Sequence, residues 1–311
     1  MSAEDALAAW GGGTLRLIKD RENAVYEAQL TDGRRAALRL HRQGYQSVDA
    51  IRSELWWMQA VTGVSVPSPM PTLAGDMLHI LPGGRVATMI SWVDGDELGA
   101  ADVALGGSTA LKADRFCAIG RLAAQLHEAS DGLNLPDWFT RPAWDRDGFL
   151  GETPFWGQFW KNPALTSGEI ETVLAARDTA GMLLQDYAED GGDYGLIHAD
   201  LLRENVLFGA DGPVLIDFDD CGFGFRIYDI ATLASQNESE PDYAELMAAA
   251  LAGYREIRAL SDQTEQLLPM FVMLRRFASC GWVVPRVSAG DPRMRTYAQR
   301  AVTAAERFLD L

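Results

Sequence analysis

The chain has 311 residues, 48 % of them hydrophobic and 23 % charged, with a formal net charge of −17. That length is enough for two lobes and the composition enough for sizeable cores, while so acidic a chain repels a nucleic-acid backbone and excludes it as a partner. No run approaches the roughly 20 apolar residues that a membrane span needs, and Cys117, Cys221 and Cys280 are too widely spaced for a metal site.

Three such cysteines fit reduced thiols. The opening MSAEDALAAW has acidic residues and no basic region ahead of an apolar one, so it reads as no signal peptide. The expected compartment is the cytoplasm, with no membrane partner. Residues 14 to 41 read as a β-meander: Thr14 to Ile18, the alternating run Ala24 to Leu30, the Asp32-Gly33 turn, and the return strand Arg35 to His41. Ser47 can cap a helix whose apolar face is Ile51, Leu55 and Met58, and Gly63 can end it. Glu54 lies near that apolar face, where a carboxylate needs a partner. Beyond the Pro-rich stretch Val64 to Pro71 come two strands, Met77 to Leu81 and Val86 to Val93, the second leading into Asp94-Gly95.

Residues 113 to 130 form an amphipathic helix, with Phe116, Ile119, Leu122, Ala123 and Leu126 in one stripe. Residues 131 to 160 are aromatic and irregular, with Trp138, Trp144, Phe149, Trp156 and Phe159 among them. Packing onto a helical core is the favoured reading of them; a substrate-side wall of aromatic faces is the other. Gly168 to Tyr187, Leu246 to Tyr254, Leu267 to Cys280 and Met294 to Leu309 read as further helices.

Between them lies the stretch Leu196 to Asp220, LIHADLLRENVLFGADGPVLIDFDD. Two apolar runs flank Gly209-Ala210-Asp211-Gly212, the pattern of a hairpin. Asp200 and Asn205 precede it and Asp217 ends it, so closing the hairpin brings three oxygen ligands to one end. Hard cations such as Mg²⁺ take carboxylate and amide oxygens, with substrate phosphates in the other positions. The plainer alternative is a hairpin with a solvated acidic tip. The spacing His-x-Asp-x-x-x-x-Asn, followed by a strand ending in Asp, is that of phosphoryl-transfer enzymes of the protein-kinase type.

On these residues the chain resembles the aminoglycoside phosphotransferase branch of that superfamily, which also holds choline kinases and homoserine kinases, and it is similar to bacterial stress-response Ser/Thr kinases. The resemblance covers nearly the whole chain. It implies an α+β, two-lobed protein-kinase-like fold. Residues 1–93 would form a nucleotide-binding lobe, a small antiparallel sheet plus one helix. Residues 94–311 would form a larger, mainly helical lobe for catalysis and substrate binding. The implied reaction is ATP-dependent phosphoryl transfer to a hydroxyl of a small metabolite, an amino alcohol or an amino acid such as homoserine. A Ser/Thr protein kinase, an aminoglycoside-modifying kinase and a non-catalytic nucleotide-binding module are the alternatives.

By the same resemblance, Asp200 accepts or orients the proton of the acceptor hydroxyl, and Asn205 and Asp217 hold Mg²⁺. Arg39, standing where most kinases have Lys, neutralises the ATP phosphates with Glu54 as its partner. The backbone around Ser91 and Val93 meets adenine, and the turn 19–23 covers the phosphates. His127 is expected to be structural and His198 to hydrogen-bond within the catalytic loop. Asp229 is expected to cap the next helix and brace that loop. Asp219 is left between assisting the metal and a structural role.

Overall fold

The computed structural model describes residues 2–20, 23–288 and 290–310; residues 21 and 22 of the turn expected to cover the phosphates lie outside them. The chain forms two compact units. The first holds residues 1–97 together with 132–141 and 206–219, and the second holds 98–131, 142–205 and 220–311.

The first unit is built on a five-stranded antiparallel sheet with spatial order Gly13–Asp20, Ala24–Leu30, Arg35–Leu40, Val86–Ser91, Leu78–Ile80. Side chains alternate across a strand, so Ala36, Leu38 and Leu40 enter one core with Leu30, Met89 and Trp10. The same alternation turns Arg39 to the opposite face. Ser47 caps the helix Val48–Ala60, its hydroxyl accepting from the Ala50 amide at 3.0 Å. That helix buries Ile51, Leu55 and Met58 as expected, and Glu54 with them. It ends at Ala60, short of Gly63.

The hairpin Val206–Gly209 and Gly212–Leu215 also belongs to this unit, with Asp96–Glu97 paired to it as a third strand. Gly95 is required there, because a Cβ would lie 2.9 Å from the Phe208 carbonyl oxygen. The hairpin's second strand stops at Leu215, so Asp217 lies just past it with φ +65°.

The second unit is mainly helical. Thr109–Asp131 packs along Tyr243–Arg255 at backbone distance. A Cβ on Gly120 would collide with the Ala250 carbonyl, and one on Gly253 with that of Cys117. Ile227–Asn237 packs on Leu268–Trp282, which packs on Pro292–Leu309. A three-stranded sheet places Gly222–Phe225 between Ala143–Trp144 (parallel) and Tyr194–Ile197 (antiparallel). Trp144, Phe149 and Phe159 are buried, with Trp144 stacked on Tyr228 at 5.6 Å between centroids, so much of the aromatic stretch packs into the core. No described helix is long and apolar enough to cross a membrane.

Candidate active site

The residues singled out by sequence fall into two groups, one in each unit. In the first unit the fork of Arg39 joins two carboxylates. Nη1 donates to Glu54 Oε1 at 3.0 Å and Nη2 to Asp217 Oδ1 at 2.9 Å. Arg39 thus supplies the partner that a carboxylate on the buried face of the helix demands. Asp219 lies 3.9 Å from Arg39 and accepts from the Asn23 side chain at 3.0 Å. The backbone carbonyl of Asp219 accepts from Arg141 at 2.5 Å, a buried arginine that sequence reading missed. Arg141 also donates to the Ala50 carbonyl at 3.1 Å, tying helix Val48–Ala60 to the segment after Asp217.

Burial pushes the Glu54 carboxyl up from its ordinary 4.5 to about 7, against the opposing pull of Arg39. Its second oxygen, Oε2, is buried without a hydrogen-bond partner among the described residues. Asp219 is raised too, by burial. A folded-state pKa above the unfolded value means that the folded chain holds the proton more tightly. The contribution of Glu54 to stability is therefore complete below about pH 4.5 and is lost as pH rises through about 7. We expect Glu54→Gln to reduce the fall in stability across that window by up to about 1.4 kcal/mol per pH unit. Denaturant melts at stepped pH measure it; a slope equal to wild type would assign the titration to Asp219 alone.

Ser91 commits its amide to the Ser68 carbonyl at 2.8 Å and its hydroxyl to the Ser68 amide at 2.9 Å. The Val93 amide has no hydrogen-bond partner among the described residues. Of the two, Val93 is the one with backbone open to a base.

In the second unit the catalytic-loop sequence follows strand Tyr194–Ile197. Asp229 organises it. Its Oδ2 accepts from the His198 amide at 2.9 Å and its Oδ1 from the Ala199 amide at 2.6 Å. His127, fully buried, donates from Nε2 to the same carboxylate and accepts at Nδ1 from the Tyr254 hydroxyl, both at 2.9 Å. Burial raises the Asp229 carboxyl, but the bonds from His127 and the backbone outweigh it and hold the group below its ordinary range. Asp229 is therefore the expected brace but not the expected cap: it lies inside helix Ile227–Asn237, and Arg226 precedes that helix. Holding two successive amides forces Ala199 to φ +64°, a left-handed conformation that L-residues other than Asn and Asp seldom adopt.

The strained turn presents Asp200 with both oxygens engaged. Asn205 donates from Nδ2 to Oδ2 and to the Asp200 carbonyl, each at 2.8 Å. Arg275 donates from Nη2 to Oδ1 at 2.7 Å. Arg275 is buried, with its guanidinium 4.6 Å from the centroid of Trp156. Burial works against its charge, and Asp200, Tyr228 and Asp220 together more than offset that, so Arg275 is raised above its ordinary value. Trp156 thus does face a cationic group, though an internal one. Behind the loop, buried Arg203 donates to Asn237 at 2.9 Å and to Glu240 at 2.6 Å. Sequence reading missed Arg275 and Arg203. A signal existed for the first: the Arg275-Arg276 pair interrupts the apolar run Met270 to Ala278.

The described side chains suit a hard cation. The bonds made by Asn205 Nδ2 leave its Oδ1 unpartnered among the described residues, and Asp217 keeps Oδ2 beyond its contact with Arg39. Each residue, within its own unit, leaves an oxygen of the kind such a cation takes.

A family model described as the phosphotransferase enzyme family matches residues 14–260. A homoserine kinase from Mesorhizobium japonicum is 33 % identical over 217 residues, 67 % of this chain and 60 % of that protein. Among solved structures, the microcompartment-associated aminopropanol kinase superposes with a TM-score of 0.86 and 32 % identity, covering 99 % of this chain and 97 % of that one. An amicoumacin kinase in complex with AMP-PNP, Ca²⁺ and Ami superposes at 0.79 with 22 % identity over 97 % and 92 % of the two chains, a likeness of fold.

Proposed function

The chain belongs to the phosphotransferase enzyme family, and on that premise we propose that it moves the terminal phosphoryl group of ATP to a hydroxyl of a small amino alcohol or of an amino acid such as homoserine. It is a kinase-like enzyme acting on an alcohol group of a small molecule. Its acceptor and the roles of its residues are the proposed part.

The observation that carries this reading is the clamped carboxylate of Asp200. Arg275 and Asn205 fix both of its oxygens, so the group is oriented before any acceptor arrives. In the proposed reaction the acceptor oxygen attacks the γ-phosphorus, ADP leaves, and Asp200 takes or steers the hydroxyl proton. Arg39, held by Glu54, meets the negative charge of the phosphates with a planar fork rather than a point charge. The backbone of Val93 meets adenine. Asn205 and Asp217 would hold Mg²⁺, which when bound neutralises charge on the phosphates. The acceptors in the names of the aminopropanol and homoserine kinases join an amino group to a hydroxyl, which supports the same class here. The proposed compartment is the cytoplasm.

The test is a thermal shift with ATP and Mg²⁺, followed by ADP release against amino alcohols, hydroxy amino acids, an aminoglycoside and a generic protein. We expect nucleotide stabilisation and turnover with at least one small amino-bearing alcohol. Stabilisation with turnover on the protein alone would transfer the assignment to a protein kinase.

A further inference from the structure

Resting on that kinase reading, the second unit holds a cleft that bears on the identity of the acceptor. Its volume is about 420 Å³, within the range of small-molecule sites. The loop after Asp200, the end of helix Ile227–Asn237, and helices Leu268–Trp282 and Pro292–Leu309 enclose it. Arg275 lines it and donates to Asp200, so one ion pair separates the cleft from the carboxylate assigned to the acceptor hydroxyl.

In a chain of net charge −17, this one cleft carries four guanidinium groups, Arg275, Arg276, Arg300 and Arg307. Three face acids that hold them in place or share them. Arg275 is tied to Asp200, Arg276 to Glu238 at 2.7 Å and to the Ser235 carbonyl, and Arg307 to Glu238 at 3.2 Å. Arg300 differs. Among the described residues it pairs with Asp102 alone, and the two side chains are 36 % and 69 % exposed. An ion pair that open to solvent is worth at most about 1 kcal/mol, so an incoming carboxylate can replace Asp102. Glu204 is the converse case. It lines the same cleft and accepts from the neutral Gln236 amide at 2.8 Å, with no cationic partner among the described residues.

We propose that this cleft takes a hydroxy amino acid, with its carboxylate on Arg300, its ammonium on Glu204 and its hydroxyl toward Asp200. A guanidinium matches a carboxylate through two parallel hydrogen bonds. An amino alcohol satisfies Glu204 and leaves Arg300 to Asp102. A polycationic aminoglycoside brings several ammonium groups to a cleft in which Glu204 is the one lining acid without a cationic partner among the described residues, so it is selected against.

The experiment compares matched acceptors on the full chain: homoserine against 3-aminopropanol, and serine against ethanolamine. We expect the acid of at least one pair to exceed its amine in kcat/KM by about tenfold or more, through KM, because a charge-assisted hydrogen bond is worth at least that factor. Arg300→Gln should bring the acid down to the level of the amine, and Arg300→Lys should restore part of the difference. Amines equal to or better than acids, or an Arg300→Gln variant that lowers both members of a pair alike, would overturn the inference and leave the kinase reading standing. If no acceptor turns over, calorimetry in the presence of ADP decides: absence of homoserine and serine binding overturns it. Absence of any thermal shift with ATP and Mg²⁺ would instead remove the kinase reading beneath it.

Discussion

Asp200→Asn should lower kcat by about 10²–10⁴, the range for loss of a general base, and leave nucleotide binding close to wild type. The structure adds a second consequence. Asp200 is the anionic partner of buried Arg275, and an amide at position 200 points its own NH₂ at either Arg275 or Asn205, both donors. Removing one member of a buried ion pair costs about 3–5 kcal/mol, and the lower end applies because the Asp200 side chain keeps 15 % exposure. The variant should therefore melt earlier as well as turn over more slowly. Pairing it with Arg275→Gln separates the two effects: the double variant should regain stability, since the unpaired charge is gone, without regaining kcat. Nucleotide affinity measured on the single variant is the decisive control. A collapse of ATP affinity in parallel with kcat would make Asp200 a nucleotide or metal group rather than the acceptor's base.

Asp217→Asn should abolish most of the Mg²⁺-dependent part of nucleotide stabilisation and reduce turnover by about 10³, the scale of losing one preorganised electrostatic element. Two losses combine. A carboxylate leaves the proposed cation site, and the Nη2 arm of Arg39 loses its anionic partner. The backbone gives no competing explanation. Asp217 has φ +65°, and Asn tolerates the left-handed region as well as Asp does. The readout is the thermal shift by ATP measured with and without Mg²⁺. We expect the two shifts to become equal in the variant; a Mg²⁺ increment as large as in wild type would remove Asp217 from the cation site.

The spacing of His198, Asp200, Asn205 and Asp217 was enough to place the chain in its family, since it lies within one continuous stretch of sequence. The local elements were readable for the same reason. Alternation in Ala24–Leu30 and Arg35–Leu40, the Asp32-Gly33 turn, the Ser47 cap and the hairpin around Gly209 and Gly212 are each signalled within a few residues. Sequence also showed that Glu54 sits on a buried helix face and must have a partner there. The charge on Arg275 inside an apolar helix went unread, because nothing near it in sequence says what that charge faces.

What faces each side chain was decided by the fold. Arg39 reaches Asp217 across 178 residues of chain and Arg275 reaches Asp200 across 75. The resemblance makes Asp229 a helix cap and a brace, yet it spends its carboxylate on amides about 30 residues away and on His127, 102 residues away. The acidic and the arginine-bearing residues of the cleft come from three helices and two loops that share no local pattern. Periodicity tells which face of an element is buried, because that is set by 3.6 or 2 residues per repeat. It carries no information about the element that will pack opposite. That pairing follows from how the cores close, and with it come the clamp on Asp200 and the charges that the acceptor would meet.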